Sequence, residues 1–204
     1  MESIYSPMAH DLVSNSPGLA GVAIFSKIPM QKIRKQYYAG SENTIPHIKK
    51  SITDLNTIHT MINSLVLSCE VAIHGSVYTF ATTHGTWTPK GVSADYQLRD
   101  FYKMISILDG LGDFVLAGDF NAPRMYKSFQ LLATKYKDNI PAQYTTSIDI
   151  NIHRHGKKET NANELLTMMV DGLFTTPKYN ALNVQLVNGV SDHMAVVADI
   201  SVNG

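Results

Sequence analysis

The sequence predicts a layered α/β domain, and three features predict it. Phe114, Val115, Leu116 and Ala117 form a short apolar run of the kind that fills a strand buried on both faces. Residues 93–111 carry Leu98, Phe101, Ile105, Leu108 and Leu111 at steps of three or four, the single apolar stripe of an amphipathic helix. Residues 64–73 and 77–83, joined by His74-Gly75-Ser76, read as an antiparallel hairpin rich in β-branched side chains. The second hairpin strand, the helix and the run at 113–118 form a crossover unit. If its strands are parallel, both end at one rim of the sheet.

From the start of the chain, residues 1–18 contain Pro7, Ser14, Asn15, Ser16, Pro17 and Gly18 and read as a turn-rich opening with little periodicity. Residues 19–25 (L-A-G-V-A-I-F) are then expected as a buried core strand, with no earlier strand to lie beside it. Residues 31–38 alternate imperfectly and fit an edge strand, and 39–63 are polar and mixed, a loop or short helix. The pair Lys49-Lys50 there reads either as a solvated face or as a grip on a phosphate. The hairpin's second strand ends in Thr82-Thr83-His84-Gly85, so His84 stands at a strand end. Ser93 is a plausible N-cap for the long helix and Gly112 its stop.

Gly118 ends the next strand, Asp119 and Asn121 follow at once, and Pro123 forbids further extension. Such a stop either delivers polar groups to a catalytic rim or forms a turn bonded to its own backbone. Residues 126–136 read as a second, shorter helix and 137–165 as loop. Within that loop His153 and His155 have a metal-ligand spacing, although the neighbouring basic residues oppose a cation there. Residues 165–174 read as a buried strand carrying one carboxylate, Asp171, which needs a partner. Two more strands, 182–187 and 194–202, flank Asp192-His193, and that histidine is the natural partner for Asp171.

Composition bounds the reading. The chain has 204 residues, 44% of them hydrophobic, which suits one domain with a sizeable core. Seventeen basic and seventeen acidic side chains cancel, so no broad positive field steers it to nucleic acid, and contact with a phosphate would be local. Cys69 is the only cysteine, which excludes an intrachain disulfide and fits a reducing, cytoplasmic setting. Neither a secretory leader nor an apolar run long enough to span a membrane is evident.

Four strand ends thus carry His84, Asp119 with Asn121, Asp171, and Asp192 with His193. No elbow motif marks a serine or cysteine nucleophile, so water is the expected nucleophile. Carboxylates and an amide are hard oxygen ligands, suited to Mg²⁺ or Mn²⁺. Protonatable histidines suit an anionic transition state. Metal-assisted hydrolysis of a phosphate ester meets all of these requirements.

The motifs T-T-H-G, L-A-G-D-F-N and V-S-D-H-M-A-V-V, in this order, resemble the endonuclease/exonuclease/phosphatase superfamily, the deoxyribonuclease I-like proteins. G-V-A-I-F-S-K-I-P and V-D-G-L-F-T-T resemble its other strands, and the likeness runs from about Gly21 to the end. It implies a four-layer α/β/β/α sandwich of two mixed β-sheets with helices outside. It also implies roles. Asp119 would orient or deprotonate the attacking water, with Asn121 beside it holding phosphate or water. His193, held by Asp171, would contact the scissile phosphate, and His84 would be a second phosphate-facing histidine. Asp119, Asn121 and Asp192 would bind or support a divalent metal, Mg²⁺ or Mn²⁺.

The partner so implied is a phosphate-ester substrate, nucleic acid among the options. The fold alone does not choose between a phosphodiester and a phosphomonoester. Trp87 and Tyr96, just after His84, either stack on a base or fill packing space. One departure stands out: the family's opening strand ending in asparagine, and the next ending in Gln-Glu, have no counterpart here. The chain is therefore expected to be an amino-terminally truncated member with exposed apolar surface. The alternative function is a non-catalytic remnant that binds a ligand or partner on the same fold. A transition-metal hydrolase using His153 and His155 is a third.

Overall fold

The computed structural model describes residues 1–11, 18–48, 57, 61–153 and 163–203. The hairpin forms as expected: β5 (Ser64–Ile73) and β6 (Ser76–His84) pair antiparallel, from Ile73↔Ser76 to Leu67↔Thr82. Its turn has positive φ at His74 (48°) and Gly75 (82°), the two-residue geometry that matches strand twist. The helix α1 (Asp95–Asp109) then carries the chain to β7 (Val115–Asp119), which lies parallel to β6. With β3 (Met30–Ala39), β8 (Lys137–Asp138) and β9 (Asp171–Thr175), these strands form a six-stranded mixed sheet ordered β3-β5-β6-β7-β9-β8. β3 is an edge strand, as its imperfect alternation predicts.

The strands of this sheet bury both faces, and alternate residues part company accordingly. Val66, Phe114, Leu116 and Phe174 face α1 and α2 (Lys127–Ala133), where Phe101, Met104, Leu108, Phe129 and Leu132 close the core. Leu65 and Leu67 turn the other way, onto Met8 and Val22. Val115 and Leu173 also turn that way, onto Tyr179 and Leu186. A second β-layer therefore covers that face, giving the pair of stacked β-layers that the resemblance implies, with both described α-helices outside the six-stranded sheet.

The second layer comes in two pieces. One is β2-β1-β4, built from β1 (Glu2–Asp11), β2 (Gly18–Ser26) and β4 (His47–Ile48). The other is the antiparallel pair β10 (Tyr179–Val187) and β11 (Ala195–Val202). Among the described residues, the six-stranded sheet is open between them. A cavity of about 400 Å³ beside β2 and one of about 380 Å³ beside β11 both reach Thr82 and Ala117 on the sheet surface. Cys69, buried in β5, lies on the floor of this trough.

Several expectations are corrected. The first part of the opening stretch is not turn-rich: Glu2–Asp11 is a strand, and β2 does have an earlier neighbour, while 12–17 lie outside the described residues. Pro7 is tolerated because the register shifts between Pro7 and Ala9, a bulge that needs no ladder donor there. β2 is not a core strand either. It is an edge strand in which only Val22 is buried and Phe25 is 64% exposed. Ser93 does not cap α1, whose N-cap is Ala94; its hydroxyl instead receives the Ser128 N–H at 3.0 Å and binds Ser128 Oγ at 2.9 Å. Residues 165–170 are not strand, so Asp171 opens β9 instead of interrupting it. Among the described residues of 40–63, β4 and a bridge between Ser41 and Thr44 form, and much of the expected loop or short helix lies outside them. Lys49, Lys50 and His155 lie outside the described residues.

Gly118 sets how closely β6 and β7 approach. A Cβ there would lie 2.1 Å from the Thr83 carbonyl oxygen, a backbone atom that cannot yield cheaply. Gly118→Ala should therefore lower the stability of the fold by about 1–3 kcal/mol. Chemical denaturation checks this; an unchanged midpoint would show that the two strands have slack.

Candidate active site

Strand register assembles the site. Across the parallel β6–β7 pair, His84 stands opposite Asp119. Across the antiparallel β7–β9 pair, Asp119 stands opposite Asp171. Three chemically active side chains thus occupy neighbouring positions in one row, at the end of β6 and β7 and the start of β9. The fourth comes from the other layer: His193, just before β11, meets Asp171 with Nδ1 to Oδ2 at 2.7 Å.

The loops after β6 and β7 are pinned to each other. The Gly85 N–H donates to the Asp119 carbonyl at 2.7 Å, and a Cβ on Gly85 would lie 2.2 Å from the Phe120 carbonyl oxygen. Asn121 adopts φ of 50°, a left-handed conformation that asparagine tolerates, and its N–H donates to Asp119 Oδ1 at 2.7 Å. Its side-chain amide donates to the Gly85 carbonyl at 2.9 Å and lies 3.4 Å from His84 Nε2. The stop is a turn bonded to its own backbone, and that turn sets the polar groups of Asp119 and Asn121 on the rim.

Sequence reasoning missed the residues that hold these loops from behind. Gln97 is fully buried on α1 and donates from Nε2 to the Thr86 carbonyl at 2.9 Å and the Asn121 carbonyl at 3.1 Å. Asp100 accepts from Thr86 Oγ1 at 2.7 Å. Tyr38 reaches from β3 to Thr83 Oγ1 at 2.9 Å and donates to the His84 carbonyl at 3.1 Å. The signal was present: Gln97 and Asp100 occupy the inward side of α1 together with Phe101, Met104 and Leu108. A polar residue in a buried stripe is there to satisfy something.

Electrostatics separates the two acid–histidine pairs. His84 Nε2 is 3.6 Å from Asp119 Oδ2, and His84 is the more open of the two, with 41% of its side chain exposed against 19%. Burial pushes the Asp119 carboxyl above its ordinary range; His84 and His193 pull it down, while the Asp171 charge adds to the rise. His193 behaves oppositely. Its hydrogen bond to Asp171 outweighs the desolvation that opposes it, and the charges of Asp171, Asp119 and Asp192 help, so its pKa rises to about 9. At neutral pH it is an imidazolium, with Nδ1 committed to Asp171 and Nε2 free to donate.

Asp119, Asp171 and His193 each offer a ligand atom, all within 4.8 Å of one another. The donor chemistry fits a hard divalent cation. The carboxylate oxygens of Asp119 and Asp171 are the hard donors such a cation would take, whereas the charged His193 ring has no lone pair to offer it. Asp192 is exposed and stands outside this trio, although close enough for its charge to act on His193. The structure therefore brings together His84, Asp119, Asn121, Asp171 and His193, and sets Asp192 at their margin. His153 follows the loop at 147–149 and is not in this group.

A rim of carboxylates and histidines on a β-sandwich is thus the arrangement to set beside known proteins. Residues 3–193 match the Endonuclease/Exonuclease/phosphatase family, and the chain belongs to that family. No curated protein matches the sequence. Among solved structures, an endonuclease/exonuclease/phosphatase from Beutenbergia cavernae superposes with a TM-score of 0.66 at 16% identity, over 99% of this chain and 54% of that one. The human Nocturnin catalytic domain with bound sulfate anion gives 0.64 at 14% identity, over 99% of this chain and 72% of that one. A mannosyl-6-phosphatase from Bacteroides thetaiotaomicron gives 0.59 at 12% identity, over 98% and 77%. At these identities the likeness is one of fold. The chain spans about half the length of the first of these structures. No helix among the described residues is long and apolar enough to cross a membrane.

The raised pKa of His193 has a signed consequence. Its ion pair stabilises the fold fully below the unfolded-state value of 6.5, and that contribution is lost as pH rises through about 9. In metal-free protein, the stability gap between wild type and His193→Ala should be widest below about pH 6 and close above about pH 10. Denaturation at a series of pH values checks this. A gap independent of pH would mean that the imidazole is neutral.

Proposed function

We propose that this chain is a divalent-metal-dependent phosphoric ester hydrolase using water as nucleophile. The observation that carries the reading is the meeting of Asp119, Asp171 and His193 within 4.8 Å on a rim to which His84 and Asn121 also belong. Asp119 and Asn121 are the residues we assign to the metal, Mg²⁺ or Mn²⁺, with Asp192 binding or supporting it from the margin of the site. When bound, it would polarise a phosphoryl oxygen and ease deprotonation of water.

The chain's own groups do the rest. Asp119, with its carboxyl raised above the ordinary range, is a stronger base than a solvated aspartate, and accepts a proton from the attacking water. His193 donates from Nε2 to a non-bridging phosphate oxygen, where negative charge grows in the transition state. Asp171 holds its Nδ1–H at 2.7 Å, fixing the ring and its charge. Asn121 keeps one amide hydrogen beyond its bond to Gly85, and His84 adds a second imidazole at the rim.

The substrate reading stays at phosphate esters, with nucleic acid and small phosphomonoesters both within it. The sulfate on Nocturnin's fold is a tetrahedral oxyanion like phosphate, and the mannosyl-6-phosphatase acts on a phosphomonoester. The single cysteine, Cys69, buried and unpaired, fits a cytoplasmic setting.

The test uses purified protein with Mg²⁺ on bis(p-nitrophenyl) phosphate, p-nitrophenyl phosphate and a single-stranded oligonucleotide. Turnover on one of these, abolished by chelator, is the expected result. Asp119→Asn and His193→Ala should each lower kcat by about 10²–10⁴-fold. Full activity in either variant would overturn the assignment. Mg²⁺ binding without turnover of any substrate would support the non-catalytic alternative instead.

A further inference from the structure

The row His84, Asp119, Asp171 is set by a continuous ladder, but the pair Asp171–His193 is not. Among the described residues β9 pairs only with β7 and β8, and β11 only with β10, so no sheet register there fixes the distance between their starts. Something else must hold a hydrogen bond of 2.7 Å between two layers.

That link is the segment around Ser147. Its side chain is fully buried, and its Oγ accepts from the N–H of Val170 at 3.2 Å and of Asp171 at 3.1 Å. The same hydroxyl points its own hydrogen toward the Met168 carbonyl, at 3.4 Å. On the other side, the Ser147 carbonyl accepts the Met194 N–H at 2.7 Å, and Ile148 forms an isolated antiparallel bridge with His193. Two residues on, the Asp149 N–H donates to the Asp192 carbonyl at 3.0 Å, and its buried carboxylate accepts the Gly189 N–H at 2.8 Å. One residue thus grips the start of β9 through its side chain and the start of β11 through its main chain.

We propose that Ser147 is a positioning residue for the Asp171–His193 pair, the strut that sets their separation across the two β-layers. The inference rests on the phosphoesterase reading for its effect on turnover, but not for its effect on geometry. A hydroxyl that accepts from two consecutive backbone N–H groups cannot be removed silently. Without it both donors lose their acceptor, the Val170 N–H in a buried setting, and the start of β9 shifts to satisfy them. The carboxylate it carries moves with it.

The experiment reads the pair directly. In metal-free protein, NMR of the His193 Nδ1 proton, moved far downfield by its charge-assisted bond to Asp171, reports the geometry. In Ser147→Ala this resonance should move upfield or broaden away. With Mg²⁺ and the phosphodiester probe, kcat should fall about 10–100-fold while KM stays within about twofold. Ser147→Thr keeps the hydroxyl and should restore both readouts. Leu108→Ala, a cavity in the helix-side core, should lower the melting temperature and leave the resonance in place. If Ser147→Ala fails to fold, Ser147→Cys, of similar shape but with a weak sulfur acceptor, is read the same way. A melting temperature that drops with the resonance unmoved would overturn the proposal. If the wild type turns over nothing, the phosphoesterase reading fails and the resonance alone decides the role of Ser147.

Discussion

The close parallel pairing of β6 with β7 is the constraint on which the rest depends. It sets His84 opposite Asp119, and the next pairing, β7 with β9, sets Asp119 opposite Asp171. Neither match would survive a slip of one residue, because each side chain would then turn to the opposite face of the sheet. Gly118 makes the approach possible, and Tyr38, Thr83 and Gln97 lock the loops that leave it. The polar rim is therefore an outcome of packing by apolar residues well behind it. Phe114 and Leu116 on one face and Val115 on the other specify the register that the carboxylates then inherit.

Charge gives the rim its second organising feature. Two carboxylates at adjacent register positions repel, and burial makes this worse for Asp119. The fold resolves half of the conflict internally by bonding His193 to Asp171, which keeps that imidazole charged. Asp119 is left with a looser partner in His84, 3.6 Å away and more open to solvent. The asymmetry separates the two carboxylates: Asp171 orients a charged histidine, and Asp119 keeps only a looser, more open contact.

Local patterns made much of this legible. The hairpin around Gly75, the helix between β6 and β7, and the strand ending at Asp119 all announce themselves within a few residues. The pairing of Asp171 with His193 followed from chemistry, since a carboxylate in an apolar stretch must find a partner. What stayed hidden depends on distant residues. β1 is a strand because β2 pairs along its length and a bulge absorbs Pro7. β2 looks like core by composition yet lies at an edge, since apolar content does not reveal which side of a sheet stays open. Ser93, Ser128, Gln97 and Ser147 read as ordinary polar residues until the fold brings their partners to them.

The open trough has a practical consequence through Cys69. This sulfhydryl is unique in the chain, lies beneath the gap between the two pieces of the second layer, and has its acidity suppressed by burial. Alkylating reagents attack the thiolate, so in the closed molecule the sulfur is a poor target. Its labelling rate then reports how far the floor of the trough opens to reagent, and the protein carries this reporter without an engineered probe.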